Sequence, residues 1–355
     1  MPKTSEQRLY RSGPMRTVWP SPSKPARRRA ARRADADYGK PAEPGWREVD
    51  WPAHTHQARI RDGAVNYVDL GTGGRAVLFV HGLGGCWQNW LENLPAVAAA
   101  GYRAIALDLP GFGRSNMPSE PITITRLART VDELCGELGL ETVSIVGNSM
   151  GGFTAAEAAI RHPSRIDRLV LVDAAGISSA LGRNWLSERV GRFLVTGAIG
   201  GAAPRDREKA MKLMTRPGLV QIGMGAVARH PTLLSRDLVA EQLGSVGAPG
   251  FMPALEAIIG YDFTDRLREI TCPALVVQGD QDVLVPIGDA HEFADRIPDA
   301  STLILHDTGH VPMLERPATF NRALLEFLGQ NDAREDADPA TEPLLAEAQA
   351  DAGLA

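Results

Sequence analysis

Cysteine is scarce in this chain, and long apolar runs are missing altogether. The three cysteines, Cys86, Cys135 and Cys272, lie far apart, are odd in number and have no metal-ligand spacing. That argues against a disulfide framework and a zinc site, and it fits a reducing compartment. No stretch approaches eighteen uninterrupted apolar residues, and the N-terminus offers no apolar run for a signal peptide, so a cytoplasmic location is expected. Disorder throughout is excluded as well, because apolar residues make up 44% of the 355 and charged residues 23%, near the averages for soluble proteins.

Charge is unevenly spread. Residues 1–40 carry eleven Lys or Arg against three acids, and residues 331–355 carry seven acids against one Arg. Residues 1–45 are rich in Pro and Arg and nearly empty of large aliphatics, so they read as a disordered basic arm. Such an arm suits weak contact with an anionic surface and predicts no specific nucleic acid; the plainer readings are a solvated extension, or a start at Met15. Residues 331–355 read as a disordered acidic tail.

Between these ends, continuous apolar runs at 76–80, 103–107, 143–146, 168–172, 274–278 and 302–305 read as strands buried on both faces. Helical spacing at 122–139, 150–162, 288–297 and 317–328 fills the gaps, which predicts an α/β fold with a mostly parallel central sheet and helices on both faces. "QARIRD" and "AVNYVDL", joined at Asp62 and Gly63, predict an antiparallel hairpin at one edge. The alternation breaks over 176–266, where several helical patterns and four methionines (Met211, Met214, Met224, Met252) predict a helical cap above the sheet's ligand-binding edge. The expected core is therefore 46–175 and 267–330, interrupted by the cap.

Gly147-Asn148-Ser149-Met150-Gly151 follows a predicted strand and opens a predicted helix. Glycines two before and two after the serine relieve backbone clashes in so tight a turn, leaving Ser149 to project its hydroxyl. A serine needs a base, and the base needs a group that fixes its tautomer. Of the eight histidines, His310 is chosen, in a loop five residues beyond a strand; His306 continues that strand directly. Asp173, Asp280 and Asp282 each follow a strand and each satisfy the order Ser…Asp…His, so chemistry alone leaves the acid open. Oxyanion donors are expected from the backbone N–H groups of Met150 and Leu83, the latter in the glycine-rich "FVHGLGG". That stretch lacks the lysine and hydroxyl residue of a phosphate loop.

Taken together, "HGLGG", "LDLPGFGRS", "GNSMGG", "GDQDVLVP" and "TGHVPMLERP" resemble, in order, the motifs of the α/β-hydrolase family over about residues 57–330. The resemblance implies the α/β-hydrolase fold, Ser149 as nucleophile, His310 as base and Asp282 as acid, with Asp173 as the fallback acid. It also implies structural roles for His81, Asp108 and Ser115 around the oxyanion loop, with no metal and no cofactor. A serine at the elbow argues against epoxide hydrolases and haloalkane dehalogenases, which carry aspartate there. The elbow is similar to that of carbon–carbon hydrolases of ring-cleavage products. "HGLGG" lacks their Ser-Gly-Pro segment, however, and Val311 stands where they commonly carry tryptophan. The expectation is a serine esterase of lipase-like type acting on a small, lipophilic ester, monoacylglycerol-type substrates included. The alternatives are carbon–carbon bond hydrolysis and a non-catalytic ligand receptor on the same fold.

Overall fold

A computed structural model describes residues 37–178, 217–243 and 247–329. Eight strands form one sheet: β1 (Thr55–Ile60), β2 (Gly63–Leu70), β3 (Ala76–Val80), β4 (Arg103–Leu107), β5 (Val143–Asn148), β6 (Ile166–Val172), β7 (Ala274–Gly279) and β8 (Ala300–Leu305). Their spatial order is β1-β2-β4-β3-β5-β6-β7-β8. β2 runs antiparallel to both β1 and β4, and the remaining neighbours are parallel. In the edge hairpin Ile60 pairs with Gly63, so Arg61 and Asp62 make the turn.

Successive side chains of a strand enter opposite layers, as a pleated strand buried on both faces requires. Leu78 and Val80 join one apolar cluster while Val77 and Phe79 join the other; Leu169 and Leu171 likewise part from Val170 and Val172. The first layer is covered by α2 (Ile124–Glu137), α3 (Met150–Arg161) and α7 (Ile287–Arg296), and the second by α1 (Leu94–Ala99), α8 (Pro312–Glu315) and α9 (Pro317–Gly329). Each fully buried Leu, Val or Phe contributes about 1.5–3 kcal/mol. α2 begins where the Thr123 side chain accepts the Arg126 N–H at 3.1 Å, a standard N-cap. β8 departs from the expectation of burial on both faces: as the last strand, it leaves Ser301 and Thr302 exposed.

Of the expected cap, residues 179–216, with Met211 and Met214, fall outside the described residues. The described part holds α4 (Pro217–Met224), α5 (Arg236–Leu243) and α6 (Phe251–Gly260). Met224 is buried there and Met252 is exposed. The expected boundary of the basic arm at residue 45 is too late. Residues 37–45 pack on the core, with Tyr38 and Ala42 buried and the Ala42 N–H donating to Glu92 Oε2 at 2.8 Å. Tyr38, with Trp46 just beyond the expected arm, supplies the burial that the arm's composition as a whole does not. Residues 1–36 and the tail from 330 onward lie outside the described residues. No helix of the described residues is long and apolar enough to cross a membrane.

Candidate active site

The candidate residues converge at the C-terminal ends of β3, β5, β6 and β7 and in the loop after β8. Ser149 stands between β5 and α3 with φ 55° and ψ −116°, in a region that side-chain-bearing residues rarely enter. Three backbone bonds hold it there: its N–H donates to Val172 O at 3.0 Å, and its carbonyl accepts from Phe153 and Ala175 at 3.0 and 3.1 Å. The flanking glycines are required by contact. A Cβ on Gly147 would lie 2.2 Å from Gly151 O, and one on Gly151 would lie 2.1 Å from Val80 O. As the cap residue of α3, Ser149 precedes N–H groups of the first turn that have no partner within the helix, Met150 among them. Those groups, at the positive end of the helix dipole, suit a developing negative charge.

His310 places Nδ1 2.7 Å from Asp282 Oδ2. With the carboxylate accepting, Nδ1 carries the proton and Nε2 keeps its lone pair. Asp282 is held at both oxygens: Oδ1 accepts from Leu284 N at 2.7 Å and Val285 N at 3.1 Å, and Oδ2 also accepts from Gln278 Nε2 at 3.2 Å. His310 is fixed by its own backbone, donating to Val227 O at 2.7 Å and accepting at its carbonyl from Asn148 Nδ2 at 3.0 Å. The residue immediately before Ser149 thus touches the backbone of the histidine.

The other two acids separate. Asp280 faces His306, at 3.1 Å, and not His310. Asp173 is fully buried with φ 44°, and its Oδ1 accepts from Gly279 N at 3.0 Å. Burial first, and then the neighbouring Asp282 charge, push the Asp173 carboxyl well above the usual carboxylate range, which favours its neutral form, and its Oδ2 is buried without a hydrogen-bond partner among the described residues. Ligand atoms of Asp173, Asp282 and His310 all lie within 4.8 Å of one another. A cation could use such a set, but the short Asp282–His310 hydrogen bond already engages two of its members.

The oxyanion loop is braced from below. His81 Nδ1 donates to Gly82 O at 2.8 Å and Nε2 accepts from Leu109 N at 2.9 Å, which fixes the neutral tautomer; burial lowers its pKa, in keeping with a structural imidazole. Asp108 accepts from Trp87 N at 2.8 Å, Arg114 N at 2.9 Å and Asn66 Nδ2 at 2.9 Å, while Ser115 Oγ donates to Asp108 O at 2.6 Å. Over the same loop stands the cap: the Phe251 ring lies 3.2 Å from where a Gly84 side chain would begin. Leu83, between them, is half-buried and packed against the core.

A model of the alpha/beta hydrolase family matches residues 77–323, about 70% of the chain. The chain belongs to the alpha/beta hydrolase family. Among curated relatives it is similar to the 2-hydroxy-6-oxononadienedioate/2-hydroxy-6-oxononatrienedioate hydrolase 2 of Pseudomonas putida, at 31% identity over 76% of this chain and 95% of that protein. It is also similar to the dihydrolipoyllysine-residue acetyltransferase component of the acetoin cleaving system of Cupriavidus necator, at 31% identity over 83% of this chain and 74% of that one. Among solved structures, the enol-lactonase of Burkholderia xenovorans LB400 superposes with a TM-score of 0.61 at 23% identity, covering 77% of this chain and 99% of that one, a likeness of fold. The α/β-hydrolase fold expected from the motifs is therefore the one observed.

Sequence reasoning missed three residues that this hydrolase-family site uses. Asn148 and Gln278 are small parts of recognised motifs whose side-chain contacts only the fold reveals. Glu315 lies within "TGHVPMLERP", before the helix expected at 317–328, and its burial is seen only in the structure.

Proposed function

We propose that this protein is a serine hydrolase that cleaves a lipophilic carboxylic ester through an acyl-enzyme. Ser149 attacks the acyl carbon while His310 Nε2 takes its proton. Asp282 holds the imidazole in the Nδ1–H tautomer and stabilises the imidazolium. The Met150 and Leu83 N–H groups receive the oxyanion, and His310 then protonates the leaving alcohol and activates water for deacylation. The chemistry requires no cofactor. The observation that carries this reading is the 2.7 Å contact of His310 Nδ1 with Asp282, on a histidine whose backbone is hydrogen-bonded to the residue preceding the strained Ser149. The lipophilic preference rests on Phe251 and Leu83 beside the oxyanion loop.

A second reading, hydrolysis of a carbon–carbon bond in a vinylogous diketone acid, uses the same residues and is favoured by the likeness to the Pseudomonas putida hydrolase. A fluorophosphonate probe on wild type and Ser149→Ala tests what the two readings share, and labelling of the folded wild type alone is expected. Short- and long-chain nitrophenyl esters, assayed beside a dienol-diketone acid, then separate them. Higher kcat/KM on the diketone acid than on every ester would overturn the ester assignment.

A further inference from the structure

The loop that carries His310 is held by a buried carboxylate outside the triad. Glu315 is fully buried, and its side chain accepts from Gly309 N at 2.9 Å, Val311 N at 3.3 Å and Arg229 N at 2.7 Å. The two loop residues flanking His310 and one cap residue thus share a single anion. The Tyr38 hydroxyl also donates to Glu315 and accepts from the His230 N–H at 2.8 Å. The Tyr38 ring packs edge-on against His230 at 5.2 Å and under the Arg316 guanidinium at 5.3 Å. Arg229 Nε and His230 Nε2 both reach Asp307, each at 2.8 Å, at the other end of the same loop.

Three segments distant in sequence therefore meet behind the base: the N-terminal segment at Tyr38, the cap at 227–230 and the loop at 307–315. The approach is close enough to demand glycine. A Cβ on Gly309 would lie 2.8 Å from both Val227 O and Arg229 N. His310 itself donates to Val227 O, so a displacement of this cap segment displaces the base.

We propose that Tyr38 is a positioning residue for catalysis, its hydroxyl locking the N-terminal segment and the cap to the Glu315 carboxylate that fixes the His310 loop. This rests on the serine-hydrolase reading above. Deleting the hydroxyl leaves a buried carboxylate short of one donor and the buried His230 N–H without an acceptor, so the loop relaxes. Small displacements of a base lower the rate of the chemical step more than they affect substrate binding.

The test is Tyr38→Phe in the full chain, which keeps the ring, set against Trp46→Phe. Trp46 lies in the same segment and donates its Nε1–H to buried Glu92 at 2.9 Å, away from the His310 loop. For Tyr38→Phe, kcat and the fluorophosphonate labelling rate should fall about tenfold with KM within about twofold. Trp46→Phe should lower Tm at least as much and leave both rates within about twofold of wild type. Equal rates for Tyr38→Phe and wild type, or equal losses in the two variants, overturn the inference while leaving the hydrolase reading intact. A folded wild type that takes up no probe overturns both.

Discussion

Replacing Asp282 by asparagine should inactivate the protein through the tautomer of His310, and the structure dictates which way the new amide points. At the Oδ1 position two backbone donors, Leu284 N at 2.7 Å and Val285 N at 3.1 Å, demand an acceptor. The two firmer backbone bonds hold the amide oxygen there, which turns the NH2 toward His310 Nδ1, 2.7 Å from the Asp282 Oδ2 position, and gives up the longer 3.2 Å bond from Gln278 Nε2. His310 must then accept at Nδ1 and carry its proton on Nε2, where it can no longer take one from Ser149. Triads altered in this way lose about 10⁴-fold in kcat. At 1.36 kcal/mol per decade this is about 5.4 kcal/mol of transition-state stabilisation. Asp173→Asn is the matched control, because an amide of the same size can keep the Gly279 N–H bond at its oxygen and carries no charge, as the raised pKa of Asp173 favours, and it should stay within about tenfold of wild type. Initial rates on a nitrophenyl ester, with active sites counted by probe titration, measure both. If Asp282→Asn kept more than about a tenth of wild-type kcat while Asp173→Asn lost about 10⁴-fold, the acid would be Asp173 and the reasoning from hydrogen-bond donors would be refuted.

Asp173 also predicts a pH effect on stability. A folded-state pKa raised above the unfolded value contributes stability at low pH that is lost as pH rises from about 3.9 toward the folded value. Asp173→Asn should therefore gain in Tm relative to wild type on going from pH 4 to pH 8, and a constant difference would count against the neutral acid. Gly151→Ala forces a Cβ to within 2.1 Å of Val80 O; it should cost about 1–3 kcal/mol in urea unfolding and abolish turnover. Asp62 and Arg126 form a buried pair, at 2.5 and 2.6 Å, that ties the edge hairpin to α2. Asp62→Ala leaves the buried guanidinium with only the exposed Glu120 carboxylate, 2.6 Å from it, and should lower ΔG of unfolding by about 1–3 kcal/mol. Burial pushes the Cys135 and Cys272 thiols up to about 12. A disulfide reagent at pH 8 should therefore modify them only at the rate of unfolding, and fast native-state labelling would contradict their burial.

The six parallel-type strands were legible because burial on both faces leaves a run with no polar interruption; 76–80 and 103–107 coincide with β3 and β4. β8 misled slightly, since an edge strand can keep an apolar stretch while two of its residues, Ser301 and Thr302, are exposed. The short α1 went unread, since "LPAVAA" carries a proline at its second position and covers too few turns to show a period. The elbow was readable because a strained serine needs small neighbours on both sides, and Gly147 and Gly151 lie against other backbone. The acid was not separable on chemistry alone. Asp173, Asp280 and Asp282 all follow strands, and only the geometry shows that Asp280 turns to His306 and Asp173 to Gly279 N while Asp282 meets His310. The contribution of residues 37–45 was invisible, because one anchoring aromatic, Tyr38, is lost in the average of an Arg- and Pro-rich stretch.

Asn148 bonds to His310 across 162 positions of chain, so the place where these loops meet exists only once the sheet has formed from β5 through β8. No early, locally wired intermediate can assemble it. Recovery of turnover after dilution from urea should accordingly lag the return of the far-ultraviolet helix signal, making enzymatic activity a reporter of the last step of folding.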